Sequence, residues 1–564
     1  MKRRMKRKRI YLFIGLALIM AVVVILINML AGKKEKKEKE TKYNNIFVIY
    51  CDKNRLYGYY EGEYVEFEIS KTDKSYASVV ADITCIEDRV IKMAVKGEYI
   101  SGKLLAIGED YVEVDRYGKV PLEDKVKLYS EYDNIKSIDK KDIYIGYDCY
   151  KYFVADGKVA AIVITKKLVP DTIRVLIKTG NYESTFHQSL TVTCEDKFFV
   201  SVNDLIREYK AGEKIVIDCK DYKDTDKIVI KGYNDAPISL PDVKRNSDGI
   251  RYEGILEVSR HNEGLVVVNE LPLENYLKYV VPSEMPYTYA KEALKAQAIC
   301  ARTYAYAHIL NAGLKEYGAH LDDSVSYQVY NNVKDNEATN EAILETFGMI
   351  LKNGEALANI NYYSTSCGYG ADESVWGVAA SDADTLTAHS INDEKKQVNM
   401  SENSAFEAFI TCENESDYDY SYSYYRWSGT IDLSELAKKL NIGDVTSVQV
   451  SKRLESGCAT ELTVIGTKGK EIVSSQYSIR TLLGGNISQI ITKNQSTSST
   501  SILPSAFFVL KDSGETGKLT IIGGGLGHGA GMSQNGANEM AKRKKKYDEI
   551  LYFFFDNSNI MGIY

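Results

Sequence analysis

The stretch Val280-Val281-Pro282-Ser283-Glu284-Met285-Pro286 runs closely into Glu292-Ala293-Leu294-Lys295-Ala296-Gln297-Ala298-Ile299-Cys300-Ala301-Arg302-Thr303-Tyr304. It sets one carboxylate between two prolines, ahead of a long alanine-rich segment. Alanine is the strongest helix former, and its small side chain lets neighbours pack close. A slim helix is therefore expected from about Tyr289 to Leu310. No other acid lies within seven residues of Glu284 on either side. A rigid apolar collar of Val281, Pro282, Met285 and Pro286 is where a carboxyl group keeps its proton near neutral pH. Spacing alone leaves a plainer reading open: a carboxylate favoured by the positive end of the helix that follows.

At the N-terminus, Lys2, Arg3, Arg4, Lys6, Arg7, Lys8 and Arg9 form a basic block, and residues 10–32 carry no charge. As a helix that apolar run would rise about 34 Å, enough to cross a bilayer core. It is longer than a secretory h-region, Met29-Leu30-Ala31 is a poor cleavage site, and no Cys follows to accept a lipid. The expected arrangement is a retained single-pass anchor in the cell membrane. The basic tail 1–9 lies in the cytoplasm and the bulk is extracellular; a cleaved signal is the alternative. The formal net charge of −7 becomes −14 once the seven basic residues are set aside. That balance argues against nucleic-acid binding. Nine dispersed cysteines make neither a disulfide framework nor a zinc ribbon, and read as buried thiols.

A second informative segment is Gly525-Leu526-Gly527-His528-Gly529-Ala530-Gly531-Met532-Ser533-Gln534-Asn535-Gly536-Ala537. It lies between an apolar strand (Leu519 to Ile522) and a helix expected over about Ser533 to Lys544. It lacks the Lys-Ser/Thr of a phosphate-binding P-loop. Taken together and in this order, the Glu284 and His528 segments resemble the SpoIID/LytB family, the sporulation stage II protein D type of lytic transglycosylase and amidase enhancer. The resemblance covers roughly Ile173 to Tyr564. Further matches are Ala301-Arg302-Thr303-Tyr304-Ala305, the S-x-Q-x-Y segment Ser326 to Tyr330, and Tyr362-Tyr363-Ser364-Thr365-Ser366-Cys367-Gly368 followed by Val375-Trp376-Gly377.

The expected fold class is α+β and β-rich. The transmembrane anchor is followed by a charged stalk at 33–43 (KKEKKEKETK and its flank) and a β-rich barrel or sandwich of unknown role at 44–168. A SpoIID-like domain then spans 169–564, with a strand-rich lead-in 169–250, a catalytic core 251–400 built on the alanine-rich helix, and a C-terminal part 401–564. The acidic, Tyr-rich run Glu413 to Tyr425 reads as a surface loop.

The resemblance implies a membrane-anchored peptidoglycan lytic transglycosylase. Such enzymes cleave the MurNAc–GlcNAc linkage with one carboxyl, here Glu284, as acid and then base, leaving a 1,6-anhydro end; denuded glycan strands and a partner wall amidase are implied with it. The residues expected to bind substrate are Arg302, Gln328, Tyr330, Ser364, Ser366, Trp376, His528, Ser533 and Gln534. For Arg302 and His528 a purely structural role is the alternative. Some family members bind zinc through Cys and His where this chain has Leu321, Ser326 and Tyr327, and His320 alone makes no site; no metal or cofactor is expected. Two departures bear on activity. The family's Tyr-Leu-Lys is replaced by Asp384-Thr385-Leu386-Thr387-Ala388, and Leu526 stands where Trp is common. A catalytically degenerate wall-binding protein or amidase activator is thus the rival function, and a hydrolase using Asp322, Asp323 or Glu373 as second carboxylate is a third.

Overall fold

A computed structural model describes residues 19–23, 39–70, 74–245, 251–331, 336–379, 381 and 384–563. The expected anchor 10–32 lies outside them except for the helical piece 19–23. Among the described residues no helix is long and apolar enough to cross a membrane. The chain is β-rich α+β and divides into two compact units.

The first unit gathers residues up to Ser101 with Pro121–Ile138 and Lys151–Lys166. Strands Glu40–Cys51, Arg55–Tyr60, Glu63–Glu68, Arg89–Lys96 and Tyr76–Ile86 close into a small barrel. Alternation puts Ile46, Val48, Leu56, Phe67, Ala81 and Ile83 inside, where they form its core. The charged run predicted as a stalk to residue 43 ends sooner. Glu40 to Tyr43 already belong to the first strand, paired with Ile86 to Ile83, because ladder hydrogen bonds accept charged residues whose side chains face water.

The second unit holds Gly102–Val120, Asp139–Tyr150 and Lys167–Tyr564, so the division does not fall at a single point near residue 168. Its largest sheet runs in the order Leu205–Tyr209, Phe198–Val202, Lys227–Gly232, Ile255–His261, Gly264–Pro272, Thr172–Leu176, Leu321–Asp322. The hairpin Ile255–His261/Gly264–Pro272 feeds directly into a helix, Leu273–Glu284. After a short loop comes the alanine-rich helix Lys291–Leu310, in which Ala293, Ala296, Ala298, Ala301 and Ala305 are buried. With alanine at so many of its buried positions, the helix packs close against the core of the unit. Met285, Leu294, Ile299, Met532, Ala537, Ile550 and Phe554 share one core with it. Beyond residue 376, a five-stranded sheet (Thr497–Ser498, Ile487–Thr492, Trp427–Asp432, Lys518–Gly523, Phe508–Asp512) and a three-stranded one (Val445–Arg453, Ala459–Gly466, Gly469–Ser474) surround a second core.

The glycine run closes the unit. Tyr362–Tyr363 pairs in parallel with Met532–Ser533, and Thr365 and Leu526 bridge beside it. Gly527, Gly529 and Gly531 have φ of +119°, +86° and +84°. A Cβ on Gly531 would lie 2.0 Å from the Asn361 carbonyl oxygen, and one on Gly527 2.6 Å from the Tyr363 Cβ. These glycines let the loop lie flat on residues 361–366. All nine cysteines are free thiols, eight of them buried.

Candidate active site

Glu284 is the last residue of the Leu273–Glu284 helix and lies seven positions before the alanine-rich one. The positive end of a following helix therefore does not stabilise its charge; it ends a helix, where the dipole opposes a carboxylate. Pro282 occupies the final turn, and the Met285 N–H returns to the Val281 carbonyl, fixing where the side chain leaves the backbone.

The carboxyl receives three donors from three distant segments. The Val329 N–H donates to Oε1 at 2.7 Å. The Tyr362 hydroxyl and the Gln534 side-chain amide also hydrogen-bond it. The side chain keeps an open edge to solvent. Its surroundings are nevertheless dense enough that burial, outweighing the three hydrogen bonds, pushes its pKa up to about 7. Among the described residues no cation and no second carboxylate acts on it. The arrangement suits a group that gives a proton and takes one back at neutral pH.

The neighbours hold these donors in place. Gln328 is buried; its Nε2 donates to the Tyr362 oxygen at 3.0 Å and to the Ala301 carbonyl at 3.2 Å, and its Oε1 accepts from Tyr276 at 3.2 Å. Gln534 begins the helix Gln534–Lys542 and donates to Gln297 Oε1 at 3.4 Å. That helix is pinned to the loop ahead of the alanine-rich helix, since Asn538 accepts the Ala290 N–H at 2.9 Å and Asn535 accepts from Tyr289.

His528 lies beside this constellation and not against Glu284 in any hydrogen bond of the described residues. Its Nδ1 accepts the Ala530 N–H at 3.2 Å, so Nε2 carries the proton and donates to the Tyr362 carbonyl at 3.1 Å. Burial pushes its pKa down to about 4, which leaves a neutral ring. Trp376, 44% exposed, rests on that ring with centroids 5.1 Å apart. Ser364 is half-buried, and its Oγ meets Thr365 Oγ1 at 3.2 Å.

Other expected substrate contacts are placed inside the protein. Arg302 is fully buried and pairs bidentately with Glu274 at 2.7 and 2.8 Å, with further donation to the Met349 and Ile343 carbonyls. A guanidinium among alanines needs a counter-charge, and the chain supplies it from the helix before. Tyr330 is fully buried, its hydroxyl on Asn269. Ser366 and Ser533 are buried, and both donate to Asp419, at 2.7 and 2.6 Å. All four of these side chains are closed off from solvent. The run Glu413 to Tyr425 is a surface loop only in part: residues 413–416 are exposed, whereas Asp417, Tyr418, Asp419 and Tyr425 are buried. Asp419 fastens the Ser366 segment to the N-cap Ser533.

The other carboxylates are engaged elsewhere. Asp323 pairs with Arg245, Asp322 accepts from Ser324, and Glu373 accepts from Asn359. Burial pushes the Cys367 thiol up to about 12, which removes it as a nucleophile. Both nitrogens of His320 are taken, by Arg174 N–H and the Ile145 carbonyl, and among the described residues no cluster could hold a metal ion. In the Asp384–Ala388 stretch Leu386 is buried and Thr387 donates to Asp556.

The family described as "Stage II sporulation protein" matches residues 261–352, and a domain of unknown function (DUF8618) matches 377–531. An uncharacterized protein of Brachyspira hyodysenteriae is 31% identical over 326 residues, 56% of this chain and 73% of that one. The amidase enhancer of Bacillus subtilis (strain 168) is 30% identical over 50% of this chain and 40% of its own length. Stage II sporulation protein D of the same organism is 28% identical, over 52% and 75%.

Proposed function

The chain belongs to the SpoIID/LytB family, and from that premise we propose that it acts on the cell wall as a lytic transglycosylase with Glu284 as its one acid–base group. The observation that carries this reading is the lone carboxyl with its pKa at about 7, served by three neutral donors. Protonated Glu284 gives its proton to the glycosidic oxygen as the bond from MurNAc C1 to that oxygen breaks. The ionised carboxylate is then stabilised by the Val329 N–H, Tyr362 and Gln534. It takes the proton of the sugar's own 6-hydroxyl as that oxygen bonds to C1. The proton balance is zero and no water is consumed, so one carboxyl suffices where ordinary glycosidases need two. Trp376, beside neutral His528, offers an exposed stacking face for sugar.

The proposed setting is the outer face of the cell membrane, held by residues 10–32, with glycan strands as substrate and a wall amidase as the enzyme that strips stem peptides first. A second reading, a non-catalytic wall-binding protein or amidase activator, is favoured by one observation. Arg302 is spent on Glu274 and the Asp384–Ala388 stretch brings no cation, so the charged residues near the family's site are internal or missing. The full chain incubated with denuded glycan strands, with products resolved by mass spectrometry, separates the two. New 1,6-anhydro ends that disappear in Glu284→Gln support the enzyme. Strand binding without any cleavage sinks it in favour of the activator.

A further inference from the structure

We propose that Tyr304, His308 and Tyr327 form the subsite that holds the uncharged N-acetylglucosamine ring on the leaving side of the bond protonated by Glu284; the assignment rests on the glycan-cleaving reading above. Tyr304 and His308 stand four residues apart on the alanine-rich helix, and their rings stack with centroids 4.3 Å apart at 28°. Tyr327 meets His308 edge-on at 5.3 Å and 81°. All three residues are half-buried. Room is kept for the Tyr327 phenol, since a Cβ on Gly313 would come within 2.6 Å of its oxygen.

The cluster flanks the acid through covalent neighbours. Tyr327 stands two residues before Val329, whose N–H holds Glu284. Tyr304 stands one turn after Ala301, whose carbonyl accepts from Gln328, and Gln328 also holds the Tyr362 hydroxyl that contacts Glu284. The polar edges keep hydrogen-bonding capacity. His308 directs Nδ1 to the Tyr304 carbonyl at 2.9 Å, which leaves Nε2 as an acceptor. Among the described residues no hydrogen bond takes up that nitrogen or the phenol oxygens of Tyr304 and Tyr327. A flat aromatic face with free hydroxyls at its rim fits the C–H face and equatorial hydroxyls of a pyranose.

Charge decides which sugar. Burial lowers the His308 pKa, so the imidazole is neutral. The carboxylate that acts on both phenols is that of Asp322. A muramoyl ring brings its own carboxylate and would meet like charge here, whereas N-acetylglucosamine brings none. This places the muramoyl ring on the other side of Glu284, and its anomeric carbon at the acid.

The test uses the full chain carrying Glu284→Gln, so that ligand is bound and not consumed, with tetra-N-acetylchitotetraose as the uncharged probe and calorimetry as the readout. Tyr327→Leu and Tyr304→Leu are each expected to weaken binding about tenfold, the scale of one lost ring–sugar contact. Tyr327→Phe keeps the ring and should retain most of the affinity. With Glu284 intact, the same leucine variants should lower kcat/KM on glycan strands, and the product that forms should still carry the anhydro end. Unchanged chitotetraose affinity in both leucine variants overturns the subsite. If Tyr327→Leu does not fold, saturation transfer from tyrosine ring protons to the probe's acetyl methyls reads the contact without substitution, and no transfer overturns it. Ring-dependent binding with no cleavage by the wild type would sink the catalytic reading and leave the platform; cleavage with ring-independent affinity would do the reverse.

Discussion

Replacing Glu284 by Gln should make the protein more stable at alkaline pH and leave it unchanged in acid. The carboxyl is raised from an ordinary 4.5 to about 7 by burial. Folded protein therefore holds this proton more tightly than unfolded chain, and folding stability falls as pH rises from about 4.5 through 7. At about 1.4 kcal/mol per pH unit the full loss is about 3 kcal/mol, and screening at the open edge reduces it to about 2. Gln does not titrate, and its amide oxygen can still accept the Val329 N–H. Both tryptophans, Trp376 and Trp427, lie in the same unit as Glu284, so their fluorescence reports the unfolding of that unit in urea. The wild-type and variant transitions should nearly coincide at pH 4.5. At pH 8 the variant should unfold at higher urea, by an amount equal to about 2 kcal/mol divided by the common slope. An offset of the same size at both pH values would refute a buried, proton-holding carboxyl.

Removing one donor should move the titration of Glu284 further up: Tyr362→Phe or Gln534→Leu should shift the pH at which cleavage falls off by about half to one unit toward alkali, read from the rate profile. Arg302→Met should cost about 3–5 kcal/mol because it strands buried Glu274, and the folded fraction should keep the wild-type pH profile; a change in KM with no change in stability would return Arg302 to the substrate. Gly531→Ala should prevent closure of the glycine loop, since its Cβ would sit 2.0 Å from the Asn361 oxygen; a native melting curve would contradict that. Burial holds His528 and His389 at about 4 and His320 at about 3, below the ordinary 6.5. Their neutral forms favour the fold fully above 6.5, and that contribution is lost as pH falls toward 4, so hydrogen exchange around residues 320, 389 and 528 should quicken across that window.

The long helix was legible because alanine spacing is local information: the expected span Tyr289–Leu310 meets an observed Lys291–Leu310. The alternating strands of the N-terminal part were legible for the same reason. Partnership across the chain was not. Arg302 among alanines looks alike whether it faces a cleft or an ion pair, and Glu274, its partner, lies on another helix. Val329 serves Glu284 through its backbone, which no side-chain identity announces. Asp419 hides in a run of Asp, Ser and Tyr whose composition signals solvent, although Ser366 and Ser533 bury it. The alternation Asp417-Tyr418-Asp419-Tyr420 was the available hint, since a solvated loop has no need of so many large rings.

The central claim is that one carboxyl cuts glycan without water. Digesting denuded strands with the full chain in H2(18)O and weighing the new ends tests it directly. The account predicts ends that carry no heavy oxygen and are lighter by one water than a reducing sugar. New reducing ends bearing one heavy oxygen each would contradict it.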